Sequence, residues 1–204
     1  MAEKRIYLAS RSPRRRELLK QIGVNFELLL LREDPKRGSD VDETPLPDEL
    51  PDAYALRIAG AKAENAALRI AQRSLPRNPV LVADTTVVLD GQILGKPADA
   101  GHAIQMLQAL SGREHKVITV VAMAKLERVE TRMSVSTVQF RELSETEIRR
   151  YVAGGEPLDK AGAYAIQGRA AVFITRIEGS YSGIMGLPLA ETAELLQKFD
   201  IELL

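Results

Sequence analysis

The sequence predicts an α/β fold with a mixed sheet. In the N-terminal half, short apolar runs alternate with segments of helical periodicity, the pattern of strands feeding helices. Further on, long apolar runs follow one another with little between them, as antiparallel strands do. A chain of 204 residues at 45% hydrophobic content can bury a substantial core, and suits one domain or one domain folded as two lobes.

Ile6 to Ala9 is apolar and short, a buried strand. Ser12 followed by Pro13 suits the N-cap and first position of a helix, in which Leu18, Leu19 and Ile22 recur at helical spacing until Gly23 stops it. A second strand is expected from about Phe26 to Leu31. Residues 32–52 are charged, carry four prolines and read as a long surface loop. The Ala-rich stretch from about Asp52 to Arg73 favours helix, with Tyr54, Ile58 and Ala61 expected on one face. Pro79 to Ala83 is a short strand. Val87 to Leu89 and Gln92 to Leu94, separated by Asp90-Gly91, form a hairpin. Ala103, Ile104, Leu107 and Leu110 mark the core face of a helix ending near Gly112. Strands follow at Val117 to Met123 and about Val129 to Phe140, and Ser144 with Glu147 makes a capping box for a helix to about Val152. The remainder reads as a Gly-rich turn, a strand from Ala171 to Ile177, a Gly-rich loop from Gly179 to Gly186, and a last helix opened by Pro188. Thr192, Leu195, Leu196 and Phe199 share one side of that helix.

Composition narrows the function. Lys plus Arg and Asp plus Glu are 28 each, and this even balance argues against nucleic acid as a partner. No stretch approaches the apolar length of a membrane span, and the N-terminus lacks the apolar core of a signal peptide, so a cytoplasmic protein is expected. The absence of cysteine excludes disulfides, thiolate metal sites and cysteine nucleophiles. His102 and His115 stand alone in their segments and read as structural or surface residues.

Four segments offer chemistry. Arg14, Arg15 and Arg16 occupy the first turn of a helix, where the dipole disfavours cations and free N–H groups point outward. A bound anion resolves that conflict, so Ser10 to Arg16 reads either as a phosphate cradle or as a solvated basic face. Asp84 interrupts the apolar VLVADTTVVL and is expected at a strand end, where it is paired, solvated in a cleft or bound to a metal, or else caps an Asx-type turn. The loop acids Asp40, Asp42 and Glu43 suit a hard cation or simple solubility, and Lys62 either snorkels to water or points into a cleft. In the segment from Asp159 to Gly168, small residues permit close approach to a ligand, and Gln167 offers both a donor and an acceptor suited to a base edge; an ordinary turn is the other reading.

The ordered set Ser10-x-Ser12-Pro13-Arg14-Arg15, Ala83-Asp84-Thr85, Gly95-Lys96-Pro97, Leu110-Ser111-Gly112 with His115, Asp159-Lys160-Ala161-Gly162-Ala163-Tyr164 with Ile166-Gln167-Gly168, and Gly179-Ser180-Tyr181 with Gly186-Leu187-Pro188-Leu189 resembles the Maf family of nucleoside triphosphate pyrophosphatases. The matches span nearly the whole chain. Arg11, Thr86, Ala165 and the Gly183-Ile184-Met185 stretch depart from the family pattern without removing a charged group.

The resemblance implies an elongated mixed sheet flanked by helices with a central cleft, similar to the inosine triphosphatase architecture, residues 1–204 forming a single domain of two lobes around that cleft. It implies hydrolysis of a nucleoside triphosphate between the α and β phosphates. The Asp84 position carries the family's proton acceptor. Arg14, Thr85 and Gln167 fall on positions tied to base specificity, and their combination resembles the branch acting on dTTP and UTP. Ser10, Arg14, Arg15, Lys62 and Lys96 are implied phosphate contacts, and Glu43 with Asp84 is implied to hold Mg²⁺ or Mn²⁺. A homodimer is the family expectation. The alternatives are a 7-methyl-GTP pyrophosphatase of the same family and a non-catalytic nucleotide- or nucleic-acid-binding regulator of cell division.

Overall fold

A computed structural model describes residues 5–31, 33–34 and 38–203. Its elements, in order, are β1 (Ile6–Leu8), α1 (Pro13–Gln21), β2 (Phe26–Leu28), β3 (Glu33–Asp34), β4 (Gly38–Ser39), α2 (Pro51–Gln72), β5 (Val80–Leu89), β6 (Gln92–Leu94), α3 (Ala100–Leu110), β7 (Glu114–Lys125), β8 (Arg128–Phe140), α4 (Glu145–Ala153), β9 (Ile174–Glu178), α5 (Tyr181–Ile184) and α6 (Leu189–Lys198). A seven-stranded sheet has the order β2-β1-β5-β7-β8-β9, with β6 also paired to β5. β1 runs parallel to β2 and β5, whereas β6 on β5 and β9 on β8 are antiparallel, so the sheet is mixed. No described helix is long and apolar enough to cross a membrane.

The chain forms two compact units. The first takes the chain through Asp84, then Val120–Met133 and the stretch from Gly186; the second holds Thr85–Thr119 and Ser134–Met185. In the first, all three residues of β1 are buried, in keeping with a strand paired on both sides. α1 contributes Leu18 and Leu19, and α6 contributes Thr192, Leu195 and Leu196. The buried stripe of α2 is Tyr54, Ala55, Ile58, Ala59, Ala63, Ala66 and Ile70. Ala61, expected on that stripe, is only half-buried: the buried stripe passes through Ala59 and Ala63 on either side of it.

In the second unit, Phe140, Tyr164 and His115 form a ring cluster with edge-on contacts, the Phe140 and Tyr164 centroids 4.9 Å apart. α3 and α4 complete this core with Leu107, Leu110, Ile148 and Tyr151. The capping box at Ser144 and Glu147 is formed in both directions. Asp90 and Gly91 both have positive φ, as a tight two-residue hairpin turn requires.

The structure departs from the sequence expectations at several points. Asp84 lies in the middle of one ten-residue strand, β5, not at a strand end, so it caps no turn. A carboxylate is tolerated there because Lys62 reaches it with an ammonium. β2 stops at Leu28. The loop 32–52 contains the small antiparallel pair β3–β4, and its residues 32 and 35–37 lie outside those described. The expected strand from Ala171 begins at Ile174, since Arg169–Phe173 is a 3₁₀ turn that carries Phe173 to Tyr151 and Phe140. The Gly-rich loop after Gly179 holds the one-turn α5, which Ser180 caps by accepting the Gly183 N–H at 2.9 Å.

Candidate active site

In the first unit, the Lys62 ammonium draws in two of the carboxylates singled out by sequence. Lys62 Nζ, on α2, lies 2.6 Å from Asp84 Oδ1 on β5 and 2.8 Å from Glu43 Oε1 on the stretch before α2. The lysine therefore points to two carboxylates and does not snorkel to solvent. Burial works against its charge, but Asp84 and Glu43 more than reverse that, and its pKa is raised.

Arg15 stands in the same electrostatic neighbourhood. Its Nε donates to the Gly186 carbonyl at 2.7 Å and its Nη1 to Ser10 Oγ at 3.3 Å, which fixes the guanidinium in place. Burial pulls its pKa below the ordinary value, Asp84 and Glu43 oppose that, and the neighbouring Arg14 adds to it. Arginine titrates so far above neutrality that it remains charged. Ser10, buried between β1 and α1, accepts both from Arg15 and from the backbone N–H of Ser12 at 3.2 Å. Ser12 holds the N-cap position as expected, but its side chain makes no capping bond; the oxygen of Ser10 is turned to this corner instead. Ser10, Arg14, Arg15, Glu43, Lys62 and Asp84 thus belong to one cluster carrying both signs of charge.

The other three predicted residues lie in the second unit. Thr85 follows Asp84 on β5, and its Oγ1 is 3.0 Å from that of the buried Thr119, whose hydroxyl also reaches the Gly183 carbonyl at 2.7 Å. Lys96 and Gln167 are exposed. The Gly162 N–H donates to the Gly95 carbonyl at 3.1 Å, so the turn carrying Lys96 is joined to the segment carrying Gln167.

Sequence reasoning missed Tyr54 and Arg57. The Tyr54 hydroxyl donates to the Glu43 carbonyl at 3.0 Å, and Arg57 Nη2 donates to the Thr44 carbonyl at 3.1 Å. Burial, then Asp84 and Glu43, push the Tyr54 hydroxyl up, so it stays a phenol and a donor. The available signal was spacing: Tyr54, Ile58 and Lys62 fall at i, i+4 and i+8 on one helix. The two histidines are structural. His115 Nε2 meets the Tyr164 hydroxyl at 2.8 Å inside the second unit's core, and the His102 backbone N–H completes the Asp99 cap of α3.

The Maf-like protein family matches residues 5–199. The chain belongs to the Maf family. Curated relatives include a dTTP/UTP pyrophosphatase of Nitrosomonas europaea, 60% identical over 96% of this chain and 95% of its own. Another protein of that name, from Aromatoleum aromaticum, is also 60% identical over the same shares. A third, from Nitrosospira multiformis, is 58% identical over 98% of this chain and 97% of its own. Among solved structures, a HAM1 protein from Coxiella burnetii aligns with a TM-score of 0.50 at 17% identity, covering 96% of this chain and 99% of the other, a likeness of fold alone.

Proposed function

We propose that this Maf protein hydrolyses dTTP and UTP between the α and β phosphates, giving the nucleoside monophosphate and pyrophosphate. The observation that carries the reading is the Lys62 ammonium shared by Asp84 and Glu43, with Arg15 pinned alongside. Such a cluster offers cations to a polyphosphate and a carboxylate to water. The relatives' names supply the nucleotides.

In this reading Arg14, Arg15, Lys62 and Lys96 offset the charge of the triphosphate. The first turn of α1, which Ser12 leaves without a side-chain cap, adds backbone donors beside Ser10. Asp84 orients a water molecule and takes its proton as the water oxygen attacks the α-phosphorus. The bond from that phosphorus to the α–β bridging oxygen breaks, pyrophosphate leaves, and Asp84 returns the proton to solvent. Glu43 and Asp84 suit Mg²⁺ or Mn²⁺: both carboxylates already converge on one cationic group, and such ions commonly take one or two carboxylates together with phosphate oxygens. When bound, the ion supplies further charge neutralisation at those oxygens. Arg14, Thr85 and Gln167 select the base. The protein acts in the cytoplasm as a single functional domain, a homodimer by family expectation, on free nucleotides and not on nucleic acid.

The test is a pyrophosphate-release screen with Mg²⁺ over dTTP, UTP, CTP, GTP and 7-methyl-GTP. Turnover should be highest on dTTP and UTP; a preference for 7-methyl-GTP, or no release at all, overturns the assignment. Gln167→Ala should reorder the panel, and an equal loss on every nucleotide would remove Gln167 from base recognition.

A further inference from the structure

Glu43 sits on an irregular stretch between β4 and α2, where no strand ladder or helix holds the main chain. Its side chain is 49% exposed, yet its carboxylate meets Lys62 at 2.8 Å. An exposed carboxylate on irregular backbone gains little from one ion pair and must give up conformational freedom to keep it. Something else has to hold the segment.

Helix α2 does so. The carbonyls of Glu43 and Thr44 are consecutive, and each is taken by an α2 side chain: Tyr54 Oη at 3.0 Å from the first and Arg57 Nη2 at 3.1 Å from the second. Tyr54 and Arg57 are three residues apart, neighbours on the helix surface, and the guanidinium carbon lies 5.5 Å from the tyrosine ring centroid. Arg57 is held in turn by a bidentate pair with Glu49, both contacts 2.6 Å, and the Glu49 side chain is only 8% exposed. Nearer β4, Arg69 of the same helix grips Asp40 with two donors. Lys62 also projects from α2. One rigid element therefore carries both the ammonium and the groups that hold the segment bearing its second carboxylate.

We propose that Tyr54 and Arg57 are positioning residues, fixing the main chain at Glu43 and Thr44 so that the Glu43 carboxylate is presented to Lys62. The catalytic meaning of this proposal rests on the function proposed above; its structural content does not. Glu43 then behaves as though it grew from α2, although it belongs to the irregular stretch before that helix.

The experiment compares wild type, Tyr54→Phe, Arg57→Lys and Arg57→Ala in the full chain. Hydrogen exchange without nucleotide comes first. In Arg57→Ala, amides of residues 40–50 should exchange at least about tenfold faster, the scale of losing the Thr44 bond alone, while α2 beyond residue 58 is unchanged. Tyr54→Phe, which keeps the ring, should show a smaller effect confined to the amides nearest Glu43. Pyrophosphate release from dTTP is then followed against Mg²⁺ concentration. The half-saturating Mg²⁺ should rise by about tenfold in Arg57→Ala, and Arg57→Lys, lacking the bidentate fork, should recover only part of it. Unchanged exchange at residues 40–50 in both Tyr54→Phe and Arg57→Ala overturns the anchor. Faster exchange with an unchanged Mg²⁺ dependence overturns its effect on Glu43. A wild-type chain that releases no pyrophosphate sinks the assigned activity alone, and the exchange comparison still decides the anchor.

Discussion

Lys62 meets both carboxylates of the cluster through one nitrogen, and this sharing makes Asp84 the most informative residue to change. Asparagine keeps the shape of the side chain and its place in β5 but can neither take a proton nor balance the ammonium. Asp84→Asn should lower kcat on dTTP by at least about 10²-fold, with a much smaller change in KM, because the interaction lost belongs to the transition state. Near-wild-type turnover would take Asp84 out of the base role. The identity of this residue was legible because a charge inside an apolar run is conspicuous. Its surroundings were not, since nothing local shows that Lys62, on another element, supplies the ammonium. Tyr54 and Arg57 were hidden for a different reason: helical spacing puts Tyr54 on the face of Lys62, but the hydrogen bonds of both residues go to main-chain carbonyls, which every residue carries.

At the scale of elements, what could be read depended on local rules. The Asp90-Gly91 hairpin, the Ser144–Glu147 box and the α6 core stripe each follow from residues a few positions apart, and each is present. The start of β9 and the helical turn α5 are set by tertiary contacts of Phe173 and Ser180, which lie beyond any local window. The segment from Asp159 to Gly168 shows how tightly such contacts constrain a short motif. Gly162 has a φ of +67°, and a Cβ at this position would come within 2.9–3.0 Å of the Val87 side chain on β5. Gly162→Ala therefore combines a backbone penalty with overpacking and should cost about 2 kcal/mol or more, read as a lower urea midpoint. Because the Gly162 N–H also ties this segment to Gly95, the same variant should displace the turn bearing Lys96. An unchanged midpoint would mean that Val87 gives way freely.

Across the whole molecule, the pH dependence of stability is governed near neutrality by a group outside the charge cluster. His115 is 3% exposed, packed between Phe140 and Tyr164, and burial pushes its imidazole down to about 4. An ordinary histidine titrates near 6.5, so below that value the unfolded chain binds a proton that the folded chain refuses. The stability contributed by the neutral imidazole is complete above pH 6.5 and is lost as pH falls toward 4. By pH 5 the loss should be about 2 kcal/mol. The arginine-paired carboxylates Glu49 and Glu147, with pKa values lowered to about 2 from 4.5, add their own losses only at lower pH, so the interval between pH 6.5 and 5 isolates the histidine. Urea unfolding across this interval should show the falling midpoint in wild type. His115→Gln can still offer Tyr164 a polar partner but has nothing to titrate; it should be less stable at pH 7 and nearly flat between pH 6.5 and 5. A wild-type midpoint constant over that interval would show that the imidazole takes up its proton inside the folded core.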